Sequence, residues 1–324
     1  VQREPGVIIL GEALVDVAVG AGADAGGGLS MTAHAGGSPA NVAVGLARLG
    51  VQTRFAGRIS RDGLGPFLRA HLQDSGVDLG LCVDAPQPAT LAIVGVDHDG
   101  GASYSFYVDG TADWQWQRGE LPASQSGDVI HTGSLAIALE PGAQVVAVWI
   151  AEQSARGDVF LSLDPNVRPA LVLDLPGYRE RLDALIARAH LVKASDEDLQ
   201  ALEPGAAPLE TAMAWARRGP ELVVVTHGAG GCTALTAGSD AVHCDADPVA
   251  VVDTIGAGDA FTAGLLAFLA ERDALRVGSC RLLDRSALSA ALRFASAVAA
   301  ITCERPGADP PWRAELDAAA ADAL

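Results

Sequence analysis

The sequence predicts an α/β protein with a central, mostly parallel sheet flanked by helices, plus a smaller separate sheet. Three observations carry this. From Asp128 onward, short apolar runs alternate with segments of helical spacing, as right-handed βαβ units require. Several of those runs end in polar or glycine-rich turns, where ligands sit in open sheets of this kind. A ribbon over residues 90–108 has no crossover helix and so cannot join a helix-covered parallel sheet.

Taken in order, Val7-Ile8-Ile9-Leu10 is a buried strand closed by Gly11, with Glu12 and Asp16 just beyond it. Glycines from Gly20 to Gly28 form a connection without periodicity. In Gly36-Gly37-Ser38-Pro39-Ala40-Asn41, Ser38 reads as an N-cap and Pro39 as the first helical residue. Val42, Leu46 and Leu49 mark one helix face, and Gly50 ends it. Asn41 projects from the first turn near Gly36 and Gly37, whose missing side chains admit a ligand. Arg54 to Ile59 reads as a strand and Gly63 to Gly76 as a helix. Thr90 to Val96 and Ala102 to Val108 are strands around the turn Asp97-His98-Asp99-Gly100-Gly101. Residues near 12–35 and 90–113 are therefore expected to form a discontinuous β lid on one large domain, 1–324. Tyr104, Phe106 and Tyr107 in that lid cover a ligand or pack a subunit interface. The interface is favoured, since aromatic clusters usually mark burial.

Further along, Val129-Ile130 leads to His131-Thr132-Gly133, and residues 142–155 are helical. Val159 to Leu163 is a strand ending at Asp164-Pro165-Asn166-Val167-Arg168-Pro169. Arg168 suits bidentate recognition of phosphate oxygens, although Asp-Pro-Asn also makes a plain turn beside a solvated arginine. After the strand His190 to Lys193, Ser195 opens a helix whose first turn holds Asp196, Glu197 and Asp198, acids that the helix dipole favours. Leu222 to Val225 is a strand ending in Thr226-His227-Gly228-Ala229-Gly230-Gly231, where a nucleotide could approach the backbone; His227 reads as a loop residue. Residues 286–302 form a long helix, Arg305-Pro306-Gly307-Ala308 a tight turn, and the alanine-rich end a surface helix.

The central stretch is Asp253-Thr254-Ile255-Gly256-Ala257-Gly258-Asp259-Ala260-Phe261. Val249, Val251 and Val252 end an extended apolar segment before it. Phe261, Leu265, Phe268 and Leu269 follow at helical spacing, so a helix begins near Gly256. Its uncrowded first N–H groups and the positive end of its dipole make an anion site. An acid in that turn, Asp259, would repel a bound anion; it makes sense as the acceptor of a proton from a hydroxyl attacking a phosphate. The third glycine of a dinucleotide fingerprint and the Lys-Ser or Lys-Thr of a P-loop are both missing.

The chain has 324 residues, 49% of them hydrophobic and 19% charged, as in folded soluble proteins, with length enough for a large core. A formal net charge of −18 argues against a nucleic-acid partner. A bound nucleotide must then be held by local dipoles and a few cations. The five cysteines, Cys82, Cys232, Cys244, Cys280 and Cys303, form no C-x-x-C and no zinc pattern with the seven histidines. With no leader and no apolar run of ~18 residues, a cytoplasmic protein in a reducing compartment is expected, without a membrane span.

Asp253-Thr-x-Gly-Ala-Gly-Asp259 resembles the ATP-side signature of the ribokinase-like (PfkB) carbohydrate kinases. Gly36-Gly-Ser-Pro-Ala-Asn-Val-Ala43 resembles their sugar-side signature, and Thr226-x-Gly228-x-x-Gly231 their ATP-site turn. The resemblance runs from Gly11 to Pro311. It is greatest to bacterial fructokinases, through Gly11 to Asp16, Gly110-Thr-Ala-Asp113, Asp164 to Pro169, Lys193 to Leu199 and Arg305 to Ala308. It implies a ribokinase-like, Rossmann-type fold and transfer of the ATP γ-phosphoryl group to a primary hydroxyl of a ketohexose, fructose first. A kinase for 2-keto-3-deoxygluconate, ribose or a nucleoside, or a non-catalytic sensor, are the alternatives. On this reading Asp16, Gly36, Gly37, Asn41, Arg168 and Asp259 bind the sugar, and Asp259 is the base. Gly256, Ala257 and Gly258, with Arg168, stabilise the transferring group. Lys193, Ser195, Thr226, Gly228, Gly231, Gly256 and Gly258 hold ATP. The family's magnesium-linked Asn-x-x-Glu is replaced by Ser195-x-x-Asp198, so Asp198 would act through a water. Asp253 and backbone carbonyls around Ile255, Thr302, Arg305 and Gly307 would hold K+. A homodimer through the β lid is the implied protein partner.

Overall fold

The computed structural model describes residues 5–23, 28–96, 102–238 and 240–322. Strand β1 (Val7–Leu10) enters the core and leads into β2 (Leu14–Ala23) and β3 (Leu29–Gly36), followed by α1 (Ser38–Arg48). Next come β4 (Thr53–Ala56), β5 (Arg58–Ser60), α2 (Gly65–Asp74), β6 (Val83–Ala85), β7 (Leu91–Val96) and β8 (Ala102–Tyr107). The alternating part comprises β9 (Val129–Gly133), α3 (Gly142–Ala155), β10 (Phe160–Asp164), α4 (Leu175–Ile186), β11 (Leu191–Ser195), α5 (Asp196–Leu202), α6 (Pro208–Ala216) and β12 (Leu222–Thr226). The chain closes with β13 (Cys232–Leu235), β14 (Val242–Cys244), α7 (Ala257–Glu271), α8 (Arg285–Cys303) and α9 (Arg313–Asp322).

The main sheet has eight strands in the order β14-β13-β12-β11-β10-β9-β1-β4, all parallel except β13, which is antiparallel to both its neighbours, β12 and β14. Strand periodicity divides its side chains between two cores. Val7 and Ile9 pack with α1, α7 and α8, while Ile8 and Leu10 pack with Trp149 of α3, Tyr178 of α4 and Trp215 of α6. Both faces of β1 are thus buried, which is why its sequence is continuously apolar. The parallel alignment puts the turns after β1, β9, β10, β11 and β12 along one edge, as expected for a ligand cleft.

The second sheet has the order β3-β2-β7-β8, with β2 and β7 parallel and its outer pairs antiparallel. Residues Asp97 to Gly101, expected to form a turn, lie outside the described residues, as do residues 24–27; the expected Gly20–Gly28 connection is not all loop, because β2 runs through Gly20 and Gly22 to Ala23. The side chain of Tyr104 is also outside the description, whereas Tyr107 is 57% exposed.

Several local expectations need correction. The stretch from Arg54 to Ile59 is not one strand: it breaks at Gly57, after which β5 pairs with β6 in a sheet of two. Ser38 is not a cap; Gly37 takes that place with φ 102°, and the Ser38 side chain points elsewhere. The valines before Asp253 form no strand, and Val251 and Val252 lie exposed, because Val252 N–H and Asp253 N–H donate to the Cys303 carbonyl at the end of α8 instead of to a sheet. Helix α8 is, by length and mean composition, apolar enough to cross a bilayer, although Arg293 breaks it so that no uninterrupted apolar run of that length occurs. It buries Leu288, Ala291, Leu292, Ala295 and Val298 in the core shared with α7, at the spacing of one helix face.

Candidate active site

Helix α7 begins at Gly256, whose φ of 75° suits glycine and turns the chain into the helix. A Cβ there would lie 2.5 Å from Ala308 Cβ, so the turn at 305–308 packs directly on the helix start. Ala257 N–H donates to the Thr254 carbonyl at 3.2 Å, which removes it from the expected anion-binding set. Among the described residues, no backbone carbonyl pairs with the N–H groups of Gly256 and Gly258.

Asp259, in the same turn, is 7% exposed and joins the two halves of the cleft. Its Oδ1 accepts from Ser38 Oγ at 2.6 Å and its Oδ2 from Asn41 Nδ2 at 2.8 Å, both on the first turn of α1. Asn166 Nδ2, from the turn after β10, approaches Oδ1 at 3.4 Å. Burial pushes the Asp259 carboxyl above its ordinary range, and the Ser38 and Asn41 bonds pull the other way. Ser38 was the residue whose role the sequence concealed: Ser before Pro looks like a cap, and only the approach of α7 reveals its partner.

Asp16 on β2 lies against Gly36, where a Cβ would overlap its carboxylate. Its carboxyl is raised to about 6, first by burial and then by the charge of Asp259, with Arg168 opposing. Asp16, Asp259 and Arg168 therefore share one electrostatic neighbourhood. Arg168 itself is exposed, its guanidinium resting on the carbonyls of Asn166 at 3.4 Å and Val167 at 3.2 Å.

Lys193 is 5% exposed beneath α7, with Nζ 3.0 Å from Asp164 Oδ2. That Nζ sits 3.1 Å from where a Cβ on Gly258 would be. Side chains lean toward a helix's N-terminus, so the ammonium lies beside the free N–H groups. Burial alone would lower the Lys193 pKa, but the charges of Asp164 and Asp198 outweigh it and hold the ammonium above its ordinary value. A cation at the positive end of a helix is frustrated until an anion arrives. Thr262 Oγ1 also lies 3.1 Å from Asp164 Oδ2, and Asp164 Oδ1 is buried without a hydrogen-bond partner among the described residues. Asp164 had no assigned role in the sequence; its position at the end of β10 was the available signal.

The remaining nucleotide-side residues converge on the same edge. Ser195 and Thr226 are register partners at the ends of β11 and β12. Gly228 and Gly231 have φ of 55° and 86°, and a Cβ on Gly228 would meet open space. His227 is pinned as a loop residue, with Nδ1 2.8 Å from Asp196 Oδ2 and Nε2 2.9 Å from Thr233 Oγ1.

The metal candidates are more committed than their sequence suggests. Asp198 forms a capping box: Oδ2 accepts from Ser195 N at 2.8 Å and Ser195 Oγ at 2.8 Å, and Oδ1 accepts from Val167 N at 2.6 Å. Of about four acceptor positions on a carboxylate, one remains, enough for a water but not for direct chelation. Asp253 accepts from Ile255 N at 3.0 Å and Gly307 N at 2.9 Å. The Thr302 carbonyl accepts from Arg305 N at 3.1 Å and the Gly307 carbonyl from Asp309 N at 3.0 Å. Each carbonyl keeps a second lone pair, so this loop fits a weakly held monovalent cation. No cluster of three or more His, Cys, Asp or Glu side chains suited to a metal occurs among the described residues.

A family model described as pfkB family carbohydrate kinase matches residues 6–315. The chain belongs to that family. The kinase is 39% identical over 238 residues to a fructokinase of Klebsiella pneumoniae, covering 72% of this chain and 76% of the relative. Among solved structures, a fructokinase from Xylella fastidiosa with bound ATP superposes with a TM-score of 0.87 at 28% identity, over 98% of each chain. A fructokinase from Vibrio cholerae O395 holding fructose, ADP and a calcium ion matches with a TM-score of 0.82 at 30% identity, over 97% of this chain and 98% of that one. The ribokinase-like fold expected from the motifs is the fold of this kinase.

Proposed function

We infer that the kinase transfers the γ-phosphoryl group of ATP to a primary hydroxyl of fructose, most directly O6. One observation carries this reading: Asp259 is held jointly by Ser38 and Asn41 from α1 and by the first turn of α7, between Asp16 on one side and Lys193 on the other. Asp16, Asn41 and the backbone at Gly36 and Gly37 orient the sugar hydroxyls, with Arg168 nearby. Asp259 accepts the proton of the attacking hydroxyl, late in a loose transition state that asks little of the base. The free N–H groups of Gly256 and Gly258, together with Lys193, receive the developing negative charge. Ser195, Thr226, Gly228 and Gly231 line the path of the nucleotide. Asp198, through a water, would help hold the Mg²⁺ that accompanies ATP, which would supply charge neutralisation; the loop at Asp253, Ile255, Thr302, Arg305 and Gly307 would hold K+.

Measured ADP release across fructose, 2-keto-3-deoxygluconate, ribose and nucleosides tests the substrate. The expected result is the highest kcat/KM with fructose. Higher values with another acceptor would overturn the choice of sugar, and tight binding without any turnover would make the protein a sensor.

The small sheet is the lid over the sugar side, excluding water when closed. Its outer residues Leu29, Met31 and Tyr107 are each more than half exposed, which supports pairing of two lids in a homodimer. Sedimentation equilibrium should give twice the monomer mass, and Met31→Lys should return it to the monomer; a wild-type monomer at micromolar concentration would sink the pairing.

A further inference from the structure

All four strands of the small sheet meet the main domain at one polar junction. Glu12 and Ala13 precede β2, Gly37 follows β3, Thr90 precedes β7, and Thr111 to Asp113 follow β8. The backbone is tight here: a Cβ on Gly37 would lie 2.7 Å from the Glu12 carbonyl oxygen. At the centre is Asp113, 2% exposed. Its Oδ1 accepts the Ala13 N–H at 3.0 Å, and its Oδ2 is 2.6 Å from Thr90 Oγ1. Thr90 Oγ1 is in turn 2.7 Å from Thr111 Oγ1, which is 2.8 Å from the Val108 carbonyl oxygen. Val15 N–H donates to the Thr90 carbonyl at 3.0 Å, so the start of β7 also holds β2.

We propose that Asp113 is a positioning residue for the sugar site, tying the starts of β2 and β7 together so that Asp16, three residues beyond Ala13, is held facing Asp259. The proposal rests on the sugar-site reading above and adds to it a residue that touches neither substrate. Thr111 Oγ1 donates to the Val108 carbonyl, and the single Thr90 hydroxyl proton lies within reach of both Asp113 Oδ2 and Thr111 Oγ1. Burial pushes the Asp113 carboxyl up to about 6, against the bonds donated by Thr90 and Ala13. The nearby Glu12 carboxyl is raised to about 7, first by burial and in part by Asp113. The charge of Arg58, which is bonded to the Ala112 carbonyl at 3.0 Å and to Glu120, opposes the rise at Asp113.

Asparagine keeps the shape and both contacts: its oxygen accepts from Ala13, and its amide nitrogen donates to Thr90 Oγ1, whose hydroxyl then donates to Thr111. Asp113→Ala strands the Ala13 N–H and breaks the chain. The expected result for Asp113→Ala is a rise of ~10-fold or more in sugar KM, from a buried donor left unsatisfied, with ATP KM unchanged. Asp113→Asn keeps both constants at wild-type values. Thr90→Val, which preserves shape but interrupts the same chain, should reproduce the sugar KM effect if the alanine variant folds poorly. Hydrogen exchange at the Ala13 amide, read without turnover, should be slow in wild type and Asp113→Asn and fast in Asp113→Ala. Unchanged sugar KM in Asp113→Ala and Thr90→Val, equal rises in both KM values, or an Asp113→Asn variant as impaired as alanine would each overturn the assignment. KM is read on whichever family sugar the wild-type protein turns over best, so a wrong choice of fructose leaves this test intact.

Discussion

Asp259→Asn lowers kcat by at least ~10²-fold, the usual effect of a lost general base, while sugar and ATP dissociation constants stay close to wild type. The structure explains why the variant should fold. The substituted amide side chain can turn its oxygen to Asn41 Nδ2 and its nitrogen to Ser38 Oγ, a hydroxyl able to accept, so both contacts from α1 survive. What disappears is the only group in the first turn of α7 able to take a proton. Single-turnover mixing separates chemistry from product release, and near-normal turnover would remove Asp259 from the reaction.

Lys193→Met costs stability as well as rate. It leaves the Asp164 carboxylate, 1% exposed, with Thr262 as its remaining partner. Removing one member of a buried ion pair costs about 3–5 kcal/mol, read as a shift in the urea midpoint. Adding Asp164→Leu should recover much of that stability, since an apolar pair of similar volume is tolerated where an unpaired charge is not. Turnover should stay low in the double variant, because the cation beside Gly258 is still missing. Recovered turnover would show that Lys193 serves only the fold. A single variant as stable as wild type would show that the Asp164–Lys193 pair contributes nothing to the fold.

These two residues were legible in the sequence to different degrees. Asp259 announced itself: an acid one residue after Gly256-Ala257-Gly258, at a helix start, has few structural reasons to be there. Lys193 read as part of a motif, but its buried partner did not, because Asp164 stands 29 residues earlier on a neighbouring strand. The Ser38 contact spans 221 residues and the Asp113 contact with Ala13 spans 100. Local spacing is silent about bonds of that range. Ala257 failed the other way: its N–H looked free in the sequence, and a tight turn at Thr254 claimed it.

The strand–helix alternation after Asp128, the helix start at Gly256, the separate ribbon and the family were present in the amino-acid sequence, since periodicity, turn residues and contiguous motifs are short-range properties; the break at Gly57 and the strands β13 and β14 were not. Which side chains face one another across the cleft was settled only by the packing of α1 against α7 and of β10 beside β11. Hydrogen bonds and ion pairs depend on distances between elements far apart along the chain, and tertiary packing alone sets those distances.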